Sequence, residues 1–150
     1  LRRGDRDAAR ALSIDALACC RRHGMDFFGP ISLGLCARLS MDDGERRRLN
    51  DEAVALLDAG VVGHCHVEFG AMALEGAIER HAWDEVEHYS SRLHRYARAE
   101  ELPLGDFLVR RARALAAKAR GNGDATSIAA LAAEARAARL DVYVDRLVSA

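Results

Sequence analysis

The sequence predicts an all-α protein built from about four antiparallel helix pairs. Alanine is abundant, aromatic residues make up only 5% of the chain, and two prolines interrupt it. Alanine is the strongest helix former, so this composition favours helices over strands. Apolar residues recur at the spacing of one helical face. Glycine, proline and aspartate stand where helices would stop and start. Strand signals are short: Val61-Val62 and Val142-Tyr143-Val144 both adjoin helical context, and no sheet is expected.

Eight helical segments follow in order. The first runs from about Asp5 to His23 and stops at Gly24, a good C-terminal residue. The second begins near Asp26 and reaches about Leu39, with Pro30 in its first turn, where a missing N–H costs least. The third starts after Asp42 and Asp43, both plausible N-caps, and ends at Gly60. Its residues Leu49, Ala53, Leu56 and Leu57 line one face. The fourth spans about Val62 to Arg80 with Cys65, Phe69, Met72 and Gly76 on a stripe. The fifth spans about Ala82 to Ala99, with Trp83, Val86, Tyr89, Leu93 and Tyr96 on one side. Pro103 opens the sixth, about Leu104 to Arg120, whose inner face reads Leu104, Leu108, Ala112, Leu115 and Ala119. Gly121-Asn122-Gly123 makes a turn, and the seventh segment runs from Asp124 to about Leu140 with Ile128, Leu131, Ala132 and Ala135 inward. Asp141 caps a short last helix through Val148.

Odd-numbered helices begin near residues 5, 43, 82 and 124. A period of roughly 40 residues is the mark of helix-pair repeats, which bury their apolar faces only by stacking. The expected architecture is a tetratricopeptide-like right-handed superhelix. Its best local match is Ala82-Trp83-Asp84-Glu85-Val86-Glu87-His88-Tyr89. Trp83, Val86, Leu93, Leu56, Phe69 and Leu115 are the expected packing residues between helices. Trp83 is expected to fill the gap between the two helices of its pair, so its truncation to alanine should cost about 3–5 kcal/mol. Residues 1–150 read as one helical-repeat domain, and the start at Leu1 rather than methionine suggests a fragment of a longer chain.

Three stretches go beyond generic repeats. They are Arg22-His23-Gly24-Met25-Asp26-Phe27-Phe28-Gly29-Pro30, Ala59-Gly60-Val61-Val62-Gly63-His64-Cys65-His66, and a third that joins Trp83-Asp84-Glu85-Val86 to Glu101-Leu102-Pro103-Leu104-Gly105-Asp106-Phe107 and Arg111-Ala112-Arg113-Ala114-Leu115-Ala116. In order and spacing the chain resembles, over roughly residues 5 to 140, the C-terminal helical-repeat region of bacterial multidomain adenylate/guanylate cyclases that carry a signalling ATPase module. The segment Val67 to Ala73 departs from the family by lacking its aromatic-rich, arginine-containing stretch, and Ala82 stands where a glycine usually precedes the tryptophan. The resemblance implies a scaffold or regulatory role. It does not imply cyclase activity, because the chain carries neither a GxxxxGK[ST] phosphate loop nor a candidate metal-binding aspartate pair.

Composition narrows the function classes. Half the residues are apolar and 30% are charged, which suits a globular chain rather than a disordered one. A net charge of −1 gives no general pull toward nucleic acid or an anionic membrane. No apolar run is long enough to span a bilayer, and no secretory signal is visible. Cys19, Cys20, Cys36 and Cys65 form no CxxC pair, so reduced, mostly buried thiols and a cytoplasmic location are expected.

His64-Cys65-His66 is the group that most invites chemistry, since both residue types ligate zinc. On a helix, residues i and i+2 face apart and cannot share a metal. Cys65 as a nucleophile would need a depressed thiol pKa and an oxyanion pocket; on an apolar stripe it reads as core. The clusters Arg46-Arg47-Arg48 and Arg110-Arg111-Arg113 invite a nucleic-acid reading, but nearby acids neutralise the first and no recognition module is visible. The expectation is therefore a non-catalytic interaction module with no metal, no cofactor, no nucleic acid and no membrane. Its partner is a protein or a neighbouring domain of the parent chain, with a homodimer through an end repeat as a further mode of contact. The candidate surface comprises Tyr89, Tyr96, Arg110, Arg113, His64 and His66. Two alternatives stay open. One is a small-ligand or metal sensor, or a cryptic enzyme, with a pocket between helix pairs, first tested at Cys65, His64, His66 and Glu68. The other is the effector-sensing repeat region of a transcriptional regulator.

Overall fold

The computed structural model describes residues 5–148, and among them every regular element is helical. In order these are α1 (Arg6–His23), α2 (Gly29–Leu39), α3 (Asp43–Asp58), α4 (His64–Glu79), α5 (Trp83–Glu100), α6 (Pro103–Ala119) and α7 (Ala125–Ala137), then a 3-10 turn at Asp141–Tyr143 and α8 (Val144–Val148). The chain divides into two compact units, Leu1–Gly76 and Ala77–Ala150.

Local chemistry sets most of the boundaries. Asp5, Asp42 and Asp124 cap α1, α3 and α7, each accepting from a first-turn backbone N–H; this satisfies donors that have no partner inside the helix. α2 instead carries Pro30 as its second residue, and α6 begins on Pro103. Gly24 follows α1 at φ 123, a conformation that an L side chain rarely adopts.

In the first unit, α2 packs against both α1 and α3. Its residues Leu33, Ala37 and Leu39 are fully buried, as are Ala53 and Phe69. α4 approaches α2 closely at Gly34, where an added Cβ would lie 3.0 Å from Cδ2 of Phe69 and 3.6 Å from Cβ of Met72. Close approach of this kind needs a residue without a side chain. An ion pair between Arg21 and Glu52 (3.0 Å) joins α1 to α3 at the surface.

In the second unit, α6 packs on α5 and α7, and α7 packs on α8. Val86, Leu93, Phe107, Leu108, Ala112 and Leu115 form the core. Arg111 is also buried, at 1% exposure. Its guanidinium donates from Nε to the Tyr143 carbonyl (3.2 Å) and lies 5.0 Å from the centre of the Tyr143 ring. A buried arginine thus ties the segment before α8 to α6 through a hydrogen bond and a cation–π contact.

Several expectations need correction. α2 starts at Gly29, three residues later than Asp26, because 26–28 form a turn. α4 starts at His64 rather than Val62. α7 stops at Ala137, where Arg139 turns left-handed (φ 58) and the Leu140 N–H reaches back to the Ala135 carbonyl. Val86, Leu93, Phe69 and Leu115 are buried as expected, but Trp83 and Leu56 are only half-buried. Trp83 is the first residue of α5, at the end of the helix, where packing covers it on one side and His81 lies edge-on to its ring at 5.5 Å. Trp83→Ala is therefore a milder truncation than full burial would make it. Leu104 is 37% exposed, on the first turn of α6, rather than inward. Of the cysteines, only Cys36 and Cys65 are buried; Cys19 is exposed.

Candidate interaction surface

The most distinctive surface of the first unit is built by the turn before α2 and the start of α4. The turn at 25–28 exposes Phe27 (55%) and Phe28 (53%) side by side, with ring centroids 4.7 Å apart at 85°. His64, the first residue of α4, sets its imidazole edge-on to Phe27 at 5.1 Å and to Phe28 at 6.3 Å. Directly behind it, the buried Cys65 thiol donates to the Phe27 carbonyl at 3.0 Å and pins the 25–28 turn to the start of α4. Edge-to-face rings are the favoured aromatic geometry, so the cluster holds itself in shape while staying open to water. About half of each ring is already covered, so burying the rest of one against a partner would gain about 1–1.5 kcal/mol, half the value for a fully exposed side chain.

The cluster unites two of the stretches singled out in the sequence, those around Phe27-Phe28 and His64-Cys65-His66. His64 belongs to it and is exposed, whereas His66, two residues on in the same first turn of α4, is half-buried. Because α4 is already helical here, the two histidines project apart. Among the described residues, no three histidine, cysteine or acidic side chains converge as a metal site would require. Cys65 is wholly buried, and burial pushes its thiol pKa up, away from the depressed value a nucleophile needs. Phe27 and Phe28 were not among the expected surface residues. The signal was present in two adjacent aromatics just before Gly29-Pro30, where a helix cannot yet have begun.

The other expected surface residues lie in the second unit. Arg110 and Arg113 do not form one basic face. Arg113 turns to α5, where it holds Glu87 at 2.7 Å and contacts Ser91. Arg110 turns to α7 and grips both oxygens of Glu134 (2.9 and 2.7 Å) while its Nε holds Asp106 at 2.7 Å. The two arginines are inter-helix ties. Their fields hold the Glu87 and Glu134 carboxyls below the usual range, chiefly through the hydrogen bonds they donate. Tyr89 is buried and Tyr96 half-buried, so Tyr89 serves packing more than contact.

The second unit also contains an open cleft of about 480 Å³. It lies among the α4–α5 turn, the end of α6 and α8, and none of His64, Cys65, His66 and Glu68 lines it. No helix among the described residues is long and apolar enough to cross a membrane. No protein family, characterised protein or solved structure matches the chain.

Proposed function

We propose that this chain is a non-catalytic protein-interaction or regulatory scaffold whose helix pairs stack as a tetratricopeptide-like superhelix. In this reading it is the cytoplasmic helical-repeat tail of a nucleotide-cyclase/ATPase-type signalling protein. The observation that carries the interaction role is the exposed Phe27–Phe28–His64 cluster. Aromatic anchors of this kind dominate the energy of protein interfaces. The helix starts at Arg6, Asp43, Trp83 and Ala125 keep the period of roughly 40 residues that supports the repeat reading. Leu12 (69% exposed) and Ile14 (49%) on α1 leave apolar surface on the first helix, which supports self-association through an end repeat as a further mode.

The test is affinity capture with two baits, the wild-type chain and Phe27→Ser/Phe28→Ser, matched for helicity by circular dichroism. The reading expects a protein retained by the wild-type bait and lost with the variant. Identical captures from both baits would remove the cluster as the contact.

A further inference from the structure

We propose that the cleft in the second unit binds a small aromatic carboxylate, with Lys118 meeting the carboxylate and Trp83 flanking the ring. This inference is independent of the scaffold reading and of the Phe27–Phe28 cluster. A volume of about 480 Å³ lies in the range of small-molecule sites, which are largely apolar with a few convergent polar groups. Here Ile78, Leu115 and Ala119 supply the apolar lining and Trp83 supplies an aromatic wall, steadied by the His81 ring 5.5 Å away.

The charges of the cleft select the ligand's sign. Arg146 donates to Glu79 at 2.6 Å, and both side chains are half-buried. That pair is neutral overall and fixes α8 beside the cleft. Lys118, the only lysine in the chain, is exposed and also lines the cleft. It enters no hydrogen bond or ion pair among the described residues, unlike Arg110 and Arg113 of the same helix and Arg120 just after it. One uncompensated ammonium against an apolar, aromatic wall suits a monoanion with a flat body. A phosphate dianion would call for a second free cation or a bidentate guanidinium, and Arg146 is already engaged by Glu79. Asp84 and Glu85, in the first turn of α5, are turned to Arg120 and Arg80 and do not line the cleft.

Trp83 is the only tryptophan, so its indole N–H gives one assignable resonance that reports on this cleft alone. The experiment titrates 2-naphthoate into the protein and follows that resonance, with 2-naphthylmethylammonium as the cationic counterpart. A saturable shift is expected for naphthoate, with affinity at least about tenfold above that for the cation, the size of one charge-assisted hydrogen bond. Lys118→Gln is expected to weaken naphthoate by about tenfold, and Lys118→Arg to restore most of the affinity, both with unchanged helicity. No saturable shift of the Trp83 resonance up to about 5 mM ligand would overturn the proposal. So would equal affinity for the two ions, or wild-type affinity in Lys118→Gln. Binding that moves only resonances of Phe27 and Phe28 counts as the first of these failures.

Discussion

The contact between Gly34 and Phe69 allows a quantitative test of how α2 meets α4 in the first unit. Gly34→Ala brings two opposed effects. Replacing a mid-helix glycine by alanine favours the helix by about 1 kcal/mol. Against this, the new Cβ would sit 3.0 Å from Cδ2 of Phe69 and 3.5 Å from Cε2. Phe69 is 1% exposed, so its ring has little room to retreat, and overpacking of this kind costs about 1–3 kcal/mol. The net effect of Gly34→Ala should fall between neutral and about 2 kcal/mol destabilising. Phe69→Leu removes the ring edge that causes the conflict. In that background Gly34→Ala should keep its helix-propensity gain and lose its penalty, becoming stabilising by up to about 1 kcal/mol. The double-mutant cycle therefore predicts a favourable coupling of about 1–3 kcal/mol, measured by urea unfolding followed by far-ultraviolet circular dichroism. Additivity of the two substitutions within about 0.5 kcal/mol would refute the close approach.

Two further outcomes follow from the ionisable groups. Arg113 and Arg110 depress the Glu87 and Glu134 carboxyls in the folded state, so the stability these pairs add is present above the unfolded carboxyl pKa, near 4.5. It is lost as pH falls through the lower folded values. Because the side chains are about half exposed, the loss should stay below about 1 kcal/mol per pair, and Glu87→Gln/Glu134→Gln should flatten the acid limb of a thermal-melt pH profile. An unaltered profile in that variant would contradict the assignment. Burial pushes the Cys36 and Cys65 thiols up, so iodoacetamide at pH 8 should label Cys19 first and reach Cys36 and Cys65 only on unfolding. Mass spectrometry showing Cys65 labelled as fast as Cys19 would place it outside the core.

Helix content was legible because its causes are local. Asp42 and Asp124 cap, Gly24 stops, and Pro103 starts a helix through interactions within a few residues, and each does so in the structure. The apolar stripe through Leu49, Ala53 and Leu57 likewise reads directly onto a buried face. What periodicity could not show is how far packing extends past a helix end. Trp83 and Leu104 fit the inward stripe of their helices, yet each lies on a first turn and keeps part of its side chain open to solvent. The arginines were harder still. Arg110 and Arg113 are three residues apart and read as one face, but their long side chains turn to acids on different helices, α7 and α5. The Phe27–Phe28–His64 cluster depends on a contact between residues 38 apart in sequence, the Cys65 thiol on the Phe27 carbonyl, which no local pattern encodes.

The central claim is that this aromatic cluster is where a protein partner docks. Its most direct measurement is photo-crosslinking in cells that express the protein, with benzoylphenylalanine at position 28 and, as control, at position 133 on the exposed side of α7. The account predicts a discrete protein adduct from position 28 that is absent from position 133. No adduct at position 28, or the same adducts at both positions, would contradict it.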